Sequence, residues 1–214
     1  MTAAELRRGR VADAIRAHRL LTVLRRIEPR AALLALVDEL ADAGVRVVEV
    51  TQDAPSAPDD LAAVRAHLAV RGDATYVVGA GTVLHPEQLE AARMAGADFV
   101  VAPLLDLGVV RAAIDAGMPV IPGAFTPTEI VTAWAAGATF VKLFPASAVG
   151  PEFVRELRGP LPEIELIPTG GVDGANATAF LAAGAAAVGI GGALVRATAE
   201  ERRALVGSIT EPAL

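Results

Sequence analysis

Apolar residues in this chain fall into short blocks, set between longer stretches in which they recur every three or four positions. Five blocks share one opening: "DAGVRVVEV" (42–50), "MAGADFVVA" (94–102), "DAGMPVIPG" (115–123), "AAGATFVKL" (135–143) and "AAGAAAVGI" (182–190). Each pairs Ala-Gly with a β-branched or apolar run, and each follows a stretch of helical period such as "PRAALLALVDELA" or "TPTEIVTAWAA". The Gly has the place of a helix C′ residue, where left-handed dihedrals suit the absence of Cβ. The run after it reads as a buried strand. Pro29, Pro86, Pro127 and Pro151 sit near helix starts, where a missing N–H costs least. Three more runs, "RLLTVL" (19–24), "TYVVGAG" (75–81) and "IELIPTGG" (164–171), complete eight strand-then-helix units.

Strict alternation implies a parallel sheet with helices outside it. Eight units predict a closed (β/α)8 TIM barrel of the α/β class, and a chain of 214 residues is at the compact end of that fold. An open doubly wound sheet is the competing arrangement, but no Gly-x-Gly-x-x-Gly follows the first strand. The expected organisation is a single domain: an N-terminal helix over 1–18 capping the bottom, then the barrel over 19–214.

Composition narrows the function classes. The formal net charge of −6 argues against a general nucleic-acid or membrane surface. No run reaches the roughly 18 consecutive apolar residues of a membrane span, and the charged start "MTAAELRRGRVADAIRAHR" lacks a signal-peptide core. Cysteine is absent, so thiol chemistry is excluded. The expected location is the cytoplasm. His18, His67 and His85 lie far apart, and no metal-ligand spacing appears, so no metal is expected.

Of the 19 Lys and Arg residues, one is a lysine, Lys142 in "FVKLFPAS" (140–147). In parallel barrels the chemistry sits at the C-terminal strand ends. Those ends carry Arg25, Glu49 with Thr51, "GAGT" (79–82), Pro103, "PGAFT" (122–126), Lys142 with Phe144, "PTGG" (168–171) and "GIGG" (189–192). Alternation puts 140, 142 and 144 on one face, and 47, 49 and 51 on one face. If both faces point inward, a lone lysine and a lone glutamate share an apolar interior. A lysine amine can lose its proton and form a Schiff base with a carbonyl, which arginine cannot do. Glu49 beside it reads as a general acid/base. The alternative is a structural buried Lys–Glu pair, which adds little net stability over apolar residues. The paired glycines after strands 7 and 8 let backbone N–H groups approach an anion, with helix N-termini adding favourable charge.

Six ordered markers then resemble the family of 2-keto-3-deoxy-6-phosphogluconate (KDPG) aldolases: "VEVT" (48–51), "GAGTVLHPEQL" (79–89), "VAP" (101–103), "PGAFTPTE" (122–129), "VKLFPAS" (141–147) and "PTGGV" (168–172). The resemblance runs from about Arg19 to Arg196. It implies Lys142 as the Schiff-base lysine and Glu49 as the acid/base. It also implies a pyruvyl pocket lined by Thr82, Pro103 and Phe144, and a phosphate site at Thr169, Gly170, Gly171, Gly191 and Gly192. The implied reaction cleaves a phosphorylated 2-keto sugar acid to pyruvate and glyceraldehyde 3-phosphate, without a cofactor, in a homotrimer. The partner is thus a small 2-keto acid, with no nucleic acid and no membrane. Members often act on 4-hydroxy-2-oxoglutarate too.

Three positions depart from the family pattern. Asp53 stands where gluconate-type enzymes carry an arginine clamp for the pyruvyl carboxylate. Thr22 stands where strand 1 has a central proline. Ala193 stands where a serine often follows the last Gly-Gly. Arg25 resembles the strand 1 arginine of the phosphogalactonate aldolase branch and is the expected replacement clamp. The rival readings are another sugar-phosphate enzyme on the same frame and a non-catalytic phosphometabolite-binding barrel.

Overall fold

The structure, a computed structural model, describes residues 1–210. The chain opens with α1 (Ala3–His18), started by a capping box in which Thr2 and Glu5 satisfy each other's backbone N–H groups. Eight units follow in order: β1 (Leu20–Leu24), α2 (Arg30–Asp42), β2 (Val47–Thr51), α3 (Ala57–Val70), β3 (Val77–Gly81), α4 (Pro86–Met94), β4 (Val100–Val101), α5 (Leu107–Asp115), β5 (Val120–Ile121) with β6 (Gly123–Ala124), α6 (Pro127–Ala135), β7 (Val141–Leu143), α7 (Gly150–Arg158), β8 (Leu166–Pro168), α8 (Ala177–Ala182) and β9 (Val188–Ile190). Two helices, α9 (Gly192–Arg196) and α10 (Ala199–Thr210), close the described chain.

The repeated Ala-Gly is a helix terminator. Gly44, Gly96, Gly117, Gly137 and Gly184 all have positive φ, between 65° and 103°. Each N–H caps a carbonyl of the preceding turn, as in Gly44 N–H to Ala41 O at 3.0 Å. An added Cβ there would strain the backbone, so the repeat is set by turn stereochemistry.

The closed eight-stranded barrel expected from the alternation is not formed. The strands divide into a six-stranded parallel sheet, β5-β4-β3-β2-β1-β9, curled as a half-barrel, and a separate three-stranded sheet, β6-β7-β8. One break falls at Pro122. Ile121 pairs back to Val101, whereas Gly123 pairs forward to Lys142. Proline has no N–H to give a ladder, so what reads in sequence as one strand 5 is two short pieces in different sheets. The other break lies between β8 and β9, which meet through a single bridge, Thr169 to Gly189.

The curl has two apolar layers. Leu20, Leu24, Val48, Val50, Val78 and Ala80 face the helices. Leu21, Val23, Val47, Val77, Phe99, Val101, Ile121, Phe140 and Ile167 face inward, where Val11, Ala12 and Ile15 of α1 plug the N-terminal strand ends. Period-two alternation therefore directs Glu49 and Lys142, two residues beyond inward Val47 and Phe140, to the inner side. Among the described residues, no helix is long and apolar enough to cross a membrane.

Candidate active site

Glu49 and Lys142 come from different sheets. Glu49 is in register with Val23 on one side and Gly79 on the other, and Lys142 with Gly123 and Ile167. Their side chains are 0% and 6% exposed, and Lys142 Nζ stands 3.8 Å from Glu49 Oε1. That is an ion-pair contact longer than a hydrogen bond. Neither carboxylate oxygen of Glu49 has a hydrogen-bond partner among the described residues. A buried carboxylate left in this condition costs stability. Room for it comes from β3: a methyl on Gly81 would overlap the Glu49 carboxyl, and one on Gly79 would overlap the Phe99 ring. The "GAG" of strand 3 is thus a gap cut for two neighbouring side chains.

Lys142 also lies 5.4 Å from the centroid of the Phe144 ring, within the range of a cation–π contact. Both line a cleft of about 440 Å³, together with Arg25, Thr169, the glycines 170, 171, 191 and 192, and Arg196. Gly170 and Gly171 have φ of 86° and 78°. Successive left-handed residues turn this backbone back beside Ser147 and Phe144, where an added Cβ would crowd both.

Arg25 is half-exposed and doubly held. Its Nη1 donates to Asp53 Oδ2 at 2.9 Å and its Nη2 to Thr82 Oγ1 at 3.0 Å. Thr82 reaches it from a left-handed backbone, φ 57°. Arg26 Nε lies 3.2 Å from the same Asp53 oxygen. Burial pushes the Asp53 carboxyl up, but the neighbouring Thr51 hydroxyl and the charges of Arg25 and Arg26 outweigh it and hold the group below the usual carboxylate range. The aspartate that stands in place of the family's arginine is therefore one half of a local ion pair with Arg25.

The residues singled out in the sequence converge unevenly. Lys142, Phe144, Arg25, Thr169 and the four loop glycines share the cleft. Glu49 is buried beneath it against Lys142, and Thr82 meets it through Arg25. Pro103 does not line the cleft; its backbone packs against Gly123, the register neighbour of Lys142. The expected helix-end charge after strand 8 is weak, because α9 has five residues and a macrodipole needs aligned turns. Two charged residues of the cleft lie outside the sequence reading: Arg196, and Asp173, whose Oδ1 accepts from Ala175 N–H at 2.9 Å.

An isolated amine beside an unpartnered carboxylate, at the mouth of an apolar interior and facing a glycine-rich loop pair, is suited to imine chemistry on a small anionic carbonyl compound. Comparisons with known proteins point the same way. Residues 11–207 match the model of the KDPG and KHG aldolase family. The chain is 38% identical over 199 residues to the 2-dehydro-3-deoxy-6-phosphogalactonate aldolase of Escherichia coli K12, covering 90% of this chain and 95% of that one. It is 36% identical over 182 residues to the 2-dehydro-3-deoxy-phosphogluconate aldolase of Pseudomonas aeruginosa PAO1, covering 83% and 79%. Among solved structures, the KDPG aldolase of Legionella pneumophila, with pyruvate captured as a covalent carbinolamine, superposes with a TM-score of 0.78 at 27% identity, covering 93% and 95%. By its family match and its near-full-length relatives, this chain belongs to the KDPG and KHG aldolase family, enzymes that are carbon–carbon lyases.

Proposed function

We propose that Lys142 and Glu49 carry a class I aldol cleavage of a 2-keto-3-deoxy-6-phospho sugar acid, KDPG, to pyruvate and glyceraldehyde 3-phosphate. The observation that carries this is the 3.8 Å approach of a buried amine to a carboxylate with no other partner among the described residues. The neutral amine of Lys142 attacks the C2 carbonyl, and the carbinolamine takes a proton on its hydroxyl and loses water to give a protonated imine. The C4 hydroxyl gives up its proton, the C3–C4 bond breaks, and its electron pair is held as an enamine. Protonation at C3 and addition of water release pyruvate and restore the amine. Glu49 moves these protons, and the gap between it and Lys142 suits relay through a water or a substrate oxygen. Arg25, aimed into the same cleft, orients the pyruvyl carboxylate, and Phe144 covers the imine. Thr169 and the four loop glycines form the far end, for the phosphate.

The galacto epimer is the second reading. It is favoured by the 38% identity to the phosphogalactonate aldolase and by Arg25 on strand 1. Phosphorylated acids do not cross membranes unaided, which supports a cytoplasmic location. The expected homotrimer belongs to this reading as well. Leu107 and Ile114 of α5, Val131 of α6, and Leu104 and Phe125 in the loops before them are large apolar side chains exposed on two consecutive units, a surface suited to a second copy. The test is incubation with pyruvate, reduction with borohydride and peptide mapping. A reduced pyruvyl adduct on Lys142 is expected, and a folded protein without one overturns the mechanism.

A further inference from the structure

We infer that Arg196 is the residue by which this enzyme selects a phosphorylated substrate, replacing the hydroxyl that Ala193 lacks. The inference rests on the proposed reading, in which the keto acid enters Lys142-first and leaves its remote phosphate at the glycine loops.

The far end of the cleft needs a positive charge, and the backbone there supplies little. The helix behind Gly191 is only five residues long, and Ala193 offers no side-chain donor. An acid, Asp173, stands on the same rim. Arg196 lines that end and lies against the loop itself. A Cβ built on Gly192 would stand 2.6 Å from Arg196 Nη1 and 3.2 Å from both Cζ and Nη2. The guanidinium therefore packs across the glycine turn, and a side chain at 192 would displace it. Among the described residues Arg196 has no ion pair and no side-chain hydrogen bond, although most other arginines of the chain have one or both. An unpaired planar fork of donors beside exposed backbone is the geometry that takes a phosphate bidentately.

Its backbone is also held. Arg202, buried, donates through Nε to Leu194 O at 3.0 Å and through Nη2 to Ala197 O at 2.8 Å, and pairs with Glu39. Both carbonyls flank Arg196, so the guanidinium is delivered from a fixed stem. Arg202 is thus a positioning residue and Arg196 the binding residue.

The experiment compares Arg196→Ala, Arg196→Lys and Arg196→Ala with Ala193→Ser added, in two assays. One is cleavage of the phosphorylated six-carbon acid. The other is deuterium exchange into the methyl group of pyruvate, which needs the imine and enamine but no phosphate. Arg196→Ala is expected to lower kcat/KM for the phosphorylated acid about tenfold or more, chiefly through KM, and to lower pyruvate exchange, which involves no phosphate, by a much smaller factor. Lysine restores part of the loss through charge, and the added serine restores part through its hydroxyl. Raising salt should weaken the wild-type KM more than that of Arg196→Ala. Equal falls in both assays would assign Arg196 a structural role and overturn the inference, as would no change in either. A wild type that exchanges pyruvate without preferring the phosphorylated acid overturns it too. A wild type without pyruvate exchange overturns the proposed mechanism itself.

Discussion

At the N-terminal ends of the strands, the buried carboxylate of Asp98 is met by Arg10, by Arg65 at 2.8 Å and by the Val78 N–H at 3.0 Å. At the C-terminal ends, the fully buried carboxylate of Glu49 has no hydrogen bond among the described residues and one amine at 3.8 Å. The bottom arginines repeat the contrast. Arg8 caps the carbonyls of Gly137 and Ala138, and Arg16 holds Glu165 through two nitrogens. At the top, Arg196 is unpaired among the described residues. Helix α1 fills the lower end with Val11, Ala12 and Ile15, whereas glycines replace side chains at the upper end. One frame thus has an end where charges satisfy one another and an end where they are left for a ligand. The first contributes stability, and the second gives some up to keep a site open.

The sharpest way to break this comparison is to remove the upper pair altogether. Lys142→Met with Glu49→Gln should abolish aldolase turnover, by on the order of 10⁵-fold given what loss of a covalent nucleophile costs elsewhere. The same double variant should melt no lower than the wild type, because replacing a buried ion pair with neutral side chains is often neutral or stabilising. A thermal melt beside a cleavage assay checks both halves. A marked loss of stability would make Lys142–Glu49 a structural pair. Glu49→Gln alone should cost about 10² to 10⁴ in kcat while a borohydride-trapped pyruvate adduct still forms.

The opposite pattern is expected below. Asp98→Ala leaves Arg10 and Arg65 without their acid and the Val78 N–H without an acceptor. Both arginines are about half exposed, which moderates the cost to about 2–3 kcal/mol. In a chain of this length that lowers the melting temperature by roughly 5–10 °C. Activity per folded molecule should stay unchanged at low temperature. A selective loss of kcat would mean that the lower end is coupled to the chemistry.

The same contrast explains what could be read from the sequence. Helix stops were legible because a left-handed C′ residue is a local requirement, and five glycines meet it where expected. The Lys142–Glu49 pair was legible because an inward charge in an apolar strand conflicts with its surroundings, and such conflicts collect at functional sites. Closure of the sheet was not legible. Alternation of strands and helices sets their order and direction, but whether the ladder joins depends on one donor missing at Pro122 and on one bridge at Thr169. Arg196 escaped because it is exposed in a helical stretch, where an arginine ordinarily means nothing. Its meaning comes from the glycine it lies on. The partnership of Arg25 with Asp53, 28 residues apart, needs the fold to bring two strand ends together.

Asp53 offers the finest test, because it brings lower-end behaviour to the upper end. Its carboxylate neutralises Arg25 and Arg26 where the proposed reading needs Arg25 for a substrate carboxylate. Its pKa is depressed in the folded protein, because its partial burial is outweighed by the neighbouring Thr51 hydroxyl and the arginine charges. A depressed acid contributes stability above its unfolded pKa, about 3.9, and loses that contribution as pH falls through the lower folded value. Asp53→Asn should therefore be slightly less stable than the wild type near pH 7, by about 1 kcal/mol or less since Arg25 and Arg26 are mostly exposed. The gap should begin to narrow below about pH 4, where the unfolded chain takes up the proton first, and close once pH passes the lower folded value. Urea melts at the two pH values measure it. Substrate affinity should move the other way. Freed from its counter-charge, Arg25 meets the keto acid more readily, and KM falls about two- to fivefold, the scale of one partly screened charge contact. A KM that rises instead would show that Asp53 aims Arg25 into the cleft, and the pairing would then belong to the site and not to the scaffold.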